Sequence, residues 1–172
     1  MRTPQKLPEV ITEEQLQAIV NSTKNNKHKL AFMLGFYECM RVSEVAKLKP
    51  ENVNREMKLL NIKQAKGSKD RNIPIAPEVL RGLKYLPVGS EKAKDFGIRA
   101  LQIAFKKKVN EVLKRDDIHF HTLRHSGITH YLTKKKWSSL EVQRIAGHSK
   151  VSITEIYAHI NPQNLVDRMW EV

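Results

Sequence analysis

A mainly α-helical fold carrying one small antiparallel β-sheet is what this sequence predicts, on three observations. Apolar residues recur at helical spacing through most of the chain, and that pattern breaks only in the middle. There, two short β-rich runs, Lys58–Lys63 and Asn72–Ala76, flank a polar turn. No internal repeat, low-complexity tract or Gly/Ser linker divides the 172 residues, so 1–172 reads as a single domain.

Each element has a local cause. Pro4 and Pro8 make residues 1–11 an extended lead-in. Thr12 and Gln15 have capping-box spacing, so a helix starts there, buries Leu16, Ile19 and Val20, and ends near Asn21–Asn26. A second helix runs from about His28 to Tyr37, with Leu30, Phe32, Met33 and Phe36 turned inward. Ser43 is placed to cap a third, which carries Val45, Ala46 and Leu48 until Pro50 stops it. The two β-rich runs then pair as a hairpin, with the basic string AKGSKDR at its tip. Helical patterns return over about 78–86, 98–114, 122–135, 138–146 and 151–158, and residues 162–171 suit a last short helix.

Charge narrows the partner. Lys plus Arg number 31 against 18 Asp plus Glu, a formal excess of +13. Basic residues gather at Lys63–Arg71, Lys106–Lys108 and Lys134–Lys136, on separate elements and not in one tail. A solubilising surface would explain the excess, but clusters on different elements better suit a concave face that follows a phosphate backbone. The single cysteine, Cys39, excludes an internal disulfide and fits a reducing compartment. The N-terminus MRTPQKLPEV has no hydrophobic signal core, and no apolar run reaches the ~18 residues of a membrane span. The expectation is therefore a cytoplasmic, nucleoid-associated protein with no membrane partner.

Chemistry concentrates late in the chain, where six of seven histidines fall (119, 121, 125, 130, 148 and 159). His121 and His125, four apart, have the spacing of a zinc pair; without HExxH, a second cysteine or a carboxylate set, no metal is expected. His121 precedes Arg124 by one helical turn, and His148 precedes Tyr157 by nine residues. Arg41 stands just before a helix start, and the hairpin tip offers Lys66. Each residue has an ordinary reading. Tyr157 would be a buried tyrosine satisfied by His148 or His159, and Lys66 a simple phosphate contact, with Lys69 as its rival. Together, arginine, lysine, histidine and tyrosine are what metal-free attack on a phosphodiester requires.

Four strings also resemble the tyrosine recombinase (phage integrase) family, in particular its Xer-type and archaeal branches. MRVSEV is similar to the family's G-L-R-V-S-E box, and AKGSKDRNIPI to its glycine-lysine hairpin. HTLRHSGITHYL is similar to its H-x-L-R-H box, and AGHSKVSITEIYAHI to the box ending Y-x-H. The four occur in the family's order over roughly Leu7 to His159. Cys39 and Met40 replace the Gly-Leu before Arg41, Ala65 the Gly before Lys66, and Ile153 a frequent Thr.

The resemblance implies the tyrosine recombinase catalytic-domain fold. It implies a site-specific recombinase that cleaves and rejoins double-stranded DNA through a 3′-phosphotyrosyl intermediate, with no cofactor. Arg41 and Arg124 would be the arginine pair, Lys66 the hairpin lysine, His121 and His148 the two histidines, and Tyr157 the nucleophile. Glu44 matches an acidic position supporting the arginines, and Lys63, Lys69 and Arg71 of the same hairpin are expected to contact DNA. The family's N-terminal helical domain would end where this chain begins. The tail, 162–172, carries the apolar stripe Leu165, Val166, Met169 and Trp170, which either packs on its own core or docks on a neighbouring subunit. The working species would be a homo-tetramer on DNA, monomeric when free. Two alternatives stay open at this point: relaxation of DNA in the manner of a type IB topoisomerase, and a non-catalytic DNA-binding accessory protein.

Overall fold

In a computed structural model, residues 9–63, 70–147 and Trp170 are described. Helix α1 (Glu13–Ser22) opens with both halves of the expected capping box. Gln15 N–H donates to Thr12 Oγ1 (3.1 Å), and Thr12 N–H donates to Gln15 Oε1 (2.9 Å). The end of the lead-in is tied down, because the buried Ile11 donates its N–H to Ser126 Oγ at 2.8 Å.

Helix α2 (Asn26–Tyr37) is the axis of the molecule. It starts two residues before the expected His28 because the Asn25 carboxamide accepts from Lys27 N and His28 N, giving the first turn its cap. Leu30, Ala31, Phe32, Leu34, Gly35, Phe36 and Tyr37 are all buried, so the helix is covered nearly all round. It lies against α6 (Phe120–Thr133), also buried on most sides, and touches α1, α3 (Val42–Lys47) and α5 (Ile98–Leu113). Phe32, Phe105 and Phe120 meet edge to face, with centroids 5.1–6.3 Å apart, and join α2, α5 and α6 into one core. Close approach of α2 and α6 depends on Gly127: a Cβ there would lie 1.9 Å from Phe36 O.

The sheet has three strands, ordered β1 (Val53–Asn54), β2 (Leu59–Ile62) and β3 (Arg71–Pro74), all antiparallel. Strand β1 is a short addition to the expected hairpin. Leu60 pairs with Ile73 and Ile62 with Arg71, which places Leu60, Ile62, Ile73 and Arg71 on one inward face. A second, smaller apolar cluster of Cys39, Ile128, Tyr131, Leu132, Val142, Ile145 and Ala146 seats α7 (Ser139–Ala146) against α6.

Three further boundaries differ from expectation. Helix α3 is capped at Arg41 and not at Ser43, because the Glu44 carboxylate accepts the Arg41 N–H (2.9 Å) and fixes the first turn two residues earlier. The segment expected as a helix over 78–86 is one α-turn, α4 (Pro77–Leu80), followed by a tighter 3₁₀ stretch, Arg81–Tyr85. Helix α6 begins at Phe120, where the Thr122 hydroxyl accepts from His119 N (3.1 Å), and stops at Thr133; Lys136 then turns into the left-handed region with φ 57°. The helix expected over 151–158 and most of 162–171 lie outside the described residues; Trp170 is helical and 77% exposed. No helix among the described residues is long and apolar enough to cross a membrane.

Candidate active site: two guanidiniums and an unfilled donor

Arg124 is the centre of the site. It sits mid-way along α6, 2% exposed, held there because Leu123 and Ile128 bury on either side of it. Its Nη1 donates to Cys39 O at 2.6 Å. That carbonyl is aimed inward by the turn between α2 and α3, where Cys39 adopts φ 52°, the conformation that glycine favours. The departure from the family's Gly-Leu pair therefore leaves the turn intact and does so at a strained residue. Burial pushes the Cys39 thiol up to about 12, so its contribution is the backbone carbonyl and not sulfur chemistry.

Arg124 Nη2 is buried and, among the described residues, has no hydrogen-bond partner. An unsatisfied buried donor on a charged group is costly and needs a reason. Burial, followed by the positive charge of Arg41, brings Arg124 down to about 10, so it stays protonated at neutral pH beside a second cation. A buried guanidinium with an empty donor, in the field of a second arginine, is an arrangement that an anion can complete.

Arg41 reaches this place as the capping residue of α3, half-buried, its backbone N–H fixed by Glu44. His121 lies one turn before Arg124 on α6, its ring open to solvent. Partial desolvation first, then the charges of Arg124 and Arg41, hold its pKa below the ordinary histidine value, so at neutral pH the imidazole is neutral and able to take a proton. Its ring meets His125 edge to face at 4.5 Å, and burial brings His125 down to about 4.

Glu44 is buried under the pair, with Arg71 closing over it. Arg71 Nη1 and Nη2 donate to the two carboxylate oxygens at 2.6 and 3.2 Å, and Arg71 Nε donates to Ile145 O at 2.9 Å. Arg71 was expected to contact DNA; in this structure all three of its nitrogens are engaged by protein acceptors, and the side chain is 11% exposed. The period of the strand carried the signal, since Ile73 and Ile75 face inward and residue 71 must follow them. Lys63 stands at the mouth of the hairpin, exposed, in an ion pair with Asp70 (3.1 Å). The structure thus gathers Arg41, Glu44, Arg71, His121 and Arg124. Lys66, Lys69, His148 and Tyr157 lie outside the described residues. Sequence reasoning missed the Cys39 carbonyl, because backbone groups leave no mark in a residue pattern.

Fold and site together define a class: a helical domain with a small sheet, and at its centre a buried arginine with an open donor near a second arginine and a histidine. The chain belongs to the phage integrase family, whose sequence pattern matches residues 9–164. Among the proteins it resembles is a tyrosine recombinase of Thermosipho africanus, 30% identical over 177 aligned positions that cover 96% of this chain and 62% of that protein. The tyrosine recombinase XerA of Pyrococcus horikoshii is 32% identical, over 95% of this chain and 61% of that one. The chain therefore spans about three-fifths of the length of these relatives. Among solved structures, a XerA recombinase superposes with a TM-score of 0.80 at 22% identity, covering 98% of this chain and 65% of the other. The XerH site-specific recombinase, solved on its palindromic difH substrate after cleavage, gives 0.73 at 22% identity, covering 95% and 53%. The fold is that of a tyrosine recombinase catalytic domain.

Proposed function

We propose that this chain is the catalytic domain of a site-specific DNA recombinase, and that it breaks and rejoins a strand through a tyrosyl ester. The observation that carries the reading is the buried, unpartnered Nη2 of Arg124 beside the Arg41 cation. A scissile phosphate supplies the missing acceptor. Its non-bridging oxygens gather charge in the pentacoordinate transition state, and each guanidinium fork can offer two N–H groups to them. Relatives named as tyrosine recombinases, and the structural neighbour on its difH substrate, support DNA as the partner.

Unperturbed tyrosine is only about 0.1% phenolate at neutral pH. Tyr157 Oη attacks phosphorus as its proton passes to the neutral imidazole of His121. His148 donates to the same non-bridging oxygens. The bond from phosphorus to the 5′ oxygen breaks, and Lys66 gives that oxygen a proton. The products are a 3′-phosphotyrosyl ester and a free 5′-hydroxyl. A 5′-hydroxyl from another strand reverses the step, so exchange conserves the ester and needs neither nucleotide nor metal. Lys63 and Lys69 contact the flanking phosphates. The working assembly is a homo-tetramer on DNA built from free monomers, acting on the nucleoid in the cytoplasm.

The test is covalent capture. A randomised duplex pool is nicked close to one scissile position, so that the short cleaved piece diffuses away, and is incubated with the chain in low salt. Wild type is expected to leave a denaturant-resistant protein–DNA adduct, and Tyr157→Phe none. Binding without any adduct would favour the non-catalytic accessory protein. Relaxation of supercoiled plasmid with no sequence selected from the pool would favour the topoisomerase reading.

A further inference from the structure

We infer that Arg71 is a positioning residue of the cleavage site, a clamp that fixes the Arg41 turn relative to the end of α7. The inference rests on the recombinase reading above and concerns a residue whose guanidinium is engaged by protein acceptors.

The geometry joins three separate elements through one guanidinium. From β3, Arg71 grips both oxygens of Glu44, whose Oε1 also holds the backbone N–H of Arg41. Its third nitrogen takes the carbonyl of Ile145, one of the carbonyls that the last turn of α7 leaves without a helical partner. Gly147 follows as the left-handed cap of α7 (φ 72°), with its N–H on Gln143 O at 2.8 Å. A Cβ at Gly147 would stand 2.9–3.0 Å from the Nη1, Cζ and Nε atoms of Arg71. The guanidinium therefore lies flat against the backbone of Gly147, and the next residue in sequence is His148. Lys66 precedes Arg71 by five residues in sequence. One side chain thus ties together the arginine turn, strand β3 and the end of α7.

Lysine cannot replace this fork, because a single ammonium does not span a carboxylate and a carbonyl at once. Burial alone would push the Glu44 carboxyl up, yet the hydrogen bonds and charge of Arg71, with the Arg41 N–H and the charge of Arg124, hold it below the ordinary value. Without Arg71, a buried carboxylate would face Arg41 and Arg124 with no cation of its own and compete with the substrate for theirs.

The experiment compares Arg71→Gln, Arg71→Lys, Glu44→Gln and the double variant Arg71→Gln/Glu44→Gln in the full chain. The substrate is the duplex selected by wild type from the nicked pool. Single-turnover cleavage at saturating duplex, duplex affinity and the thermal midpoint are read for each, with rates taken well below every midpoint. The expected result is a fall of about 10²-fold in the cleavage rate for both Arg71 variants, with affinity within threefold of wild type. The double variant should be no slower than Arg71→Gln, because the two side chains act as one unit. A cleavage rate at saturation equal to wild type, with weaker affinity and a salt slope reduced by about one, would overturn the inference and restore Arg71 as a phosphate contact. Multiplying losses in the double variant would also overturn it. If Arg71→Gln fails to fold, Glu44→Gln decides alone: a wild-type rate there refutes the clamp. Absence of any adduct from wild type is a different result, which removes the recombinase reading itself.

Discussion

Arginine at position 124 is asked to do two things with one guanidinium: hold the Cys39 carbonyl with Nη1 and leave Nη2 for a ligand. Lysine keeps the charge but supplies one or the other. Arg124→Lys is therefore expected to lose about 10²–10³ in cleavage rate while still binding duplex, measured by single-turnover capture; a loss under tenfold would mean that charge alone suffices. Glu38 gives a second residue-scale expectation, away from the site. Its carboxyl is 1% exposed and accepts the Ala76 N–H at 2.6 Å. Burial, set against that hydrogen bond and reinforced by Glu78, raises it to about 8. The folded state then holds a proton that the unfolded chain releases near the ordinary glutamate value of 4.5. Between those values stability falls as pH rises, by at most about 1.4 kcal/mol per pH unit. Glu38→Gln copies the protonated form, so its melting temperature should match wild type near pH 5 and exceed it near pH 8.5. Parallel curves would show that Glu38 is charged in the folded state.

Helices α2 and α6 set the position of the arginine pair, since one ends at the Cys39 turn and the other carries Arg124. Their contact is close at Gly127, where an added methyl group would collide with Phe36 O. Gly127→Ala is expected to lower stability by about 1–3 kcal/mol in denaturant unfolding. It should also cut cleavage in the part that stays folded, because separating the helices draws Arg124 away from Cys39 O. A stability loss with an unchanged cleavage rate would mean that the helices relax elsewhere. At this scale much was legible in the residues. The Thr12–Gln15 cap, the apolar period of α1 and the two β-rich runs each follow from local chemistry, and each forms close to where it was expected. The α3 start was misplaced because Ser43 is the better cap by type, while the actual cap is a backbone N–H gripped by Glu44. The 3₁₀ stretch Arg81–Tyr85 has the same apolar spacing as an α-helix over so few residues, and period alone does not separate them.

For the whole molecule, the excess of +13 makes a salt-dependent partner the expected one. If six or more phosphates are neutralised, affinity for a random duplex should fall by about 10³-fold or more between 50 and 200 mM salt. Fluorescence anisotropy measures this, and nanomolar, site-selective binding in ~150 mM salt would contradict a purely electrostatic grip by this chain. Part of the site was also readable: Arg41, His121 and Arg124 were singled out from spacing and box resemblance, and Arg41 and Arg124 are near enough for their charges to act on His121 and on each other beside one buried donor. What stayed hidden was the frame beneath them. Arg71 looked like one more basic residue of the hairpin until strand register turned it inward, and the Cys39 carbonyl had no side chain to announce it.

The most direct measurement replaces one non-bridging oxygen of the scissile phosphate with a methyl group, in the duplex selected from the nicked pool. A methylphosphonate is neutral, so it removes the charge that Arg41 is proposed to balance. Arg41→Ala is expected to cleave the phosphate substrate at least about 10²-fold more slowly than wild type and to recover most of that loss on the methylphosphonate. Equal impairment on both substrates would contradict charge balance by the arginine pair, and with it the convergence of two guanidiniums on a single DNA phosphate.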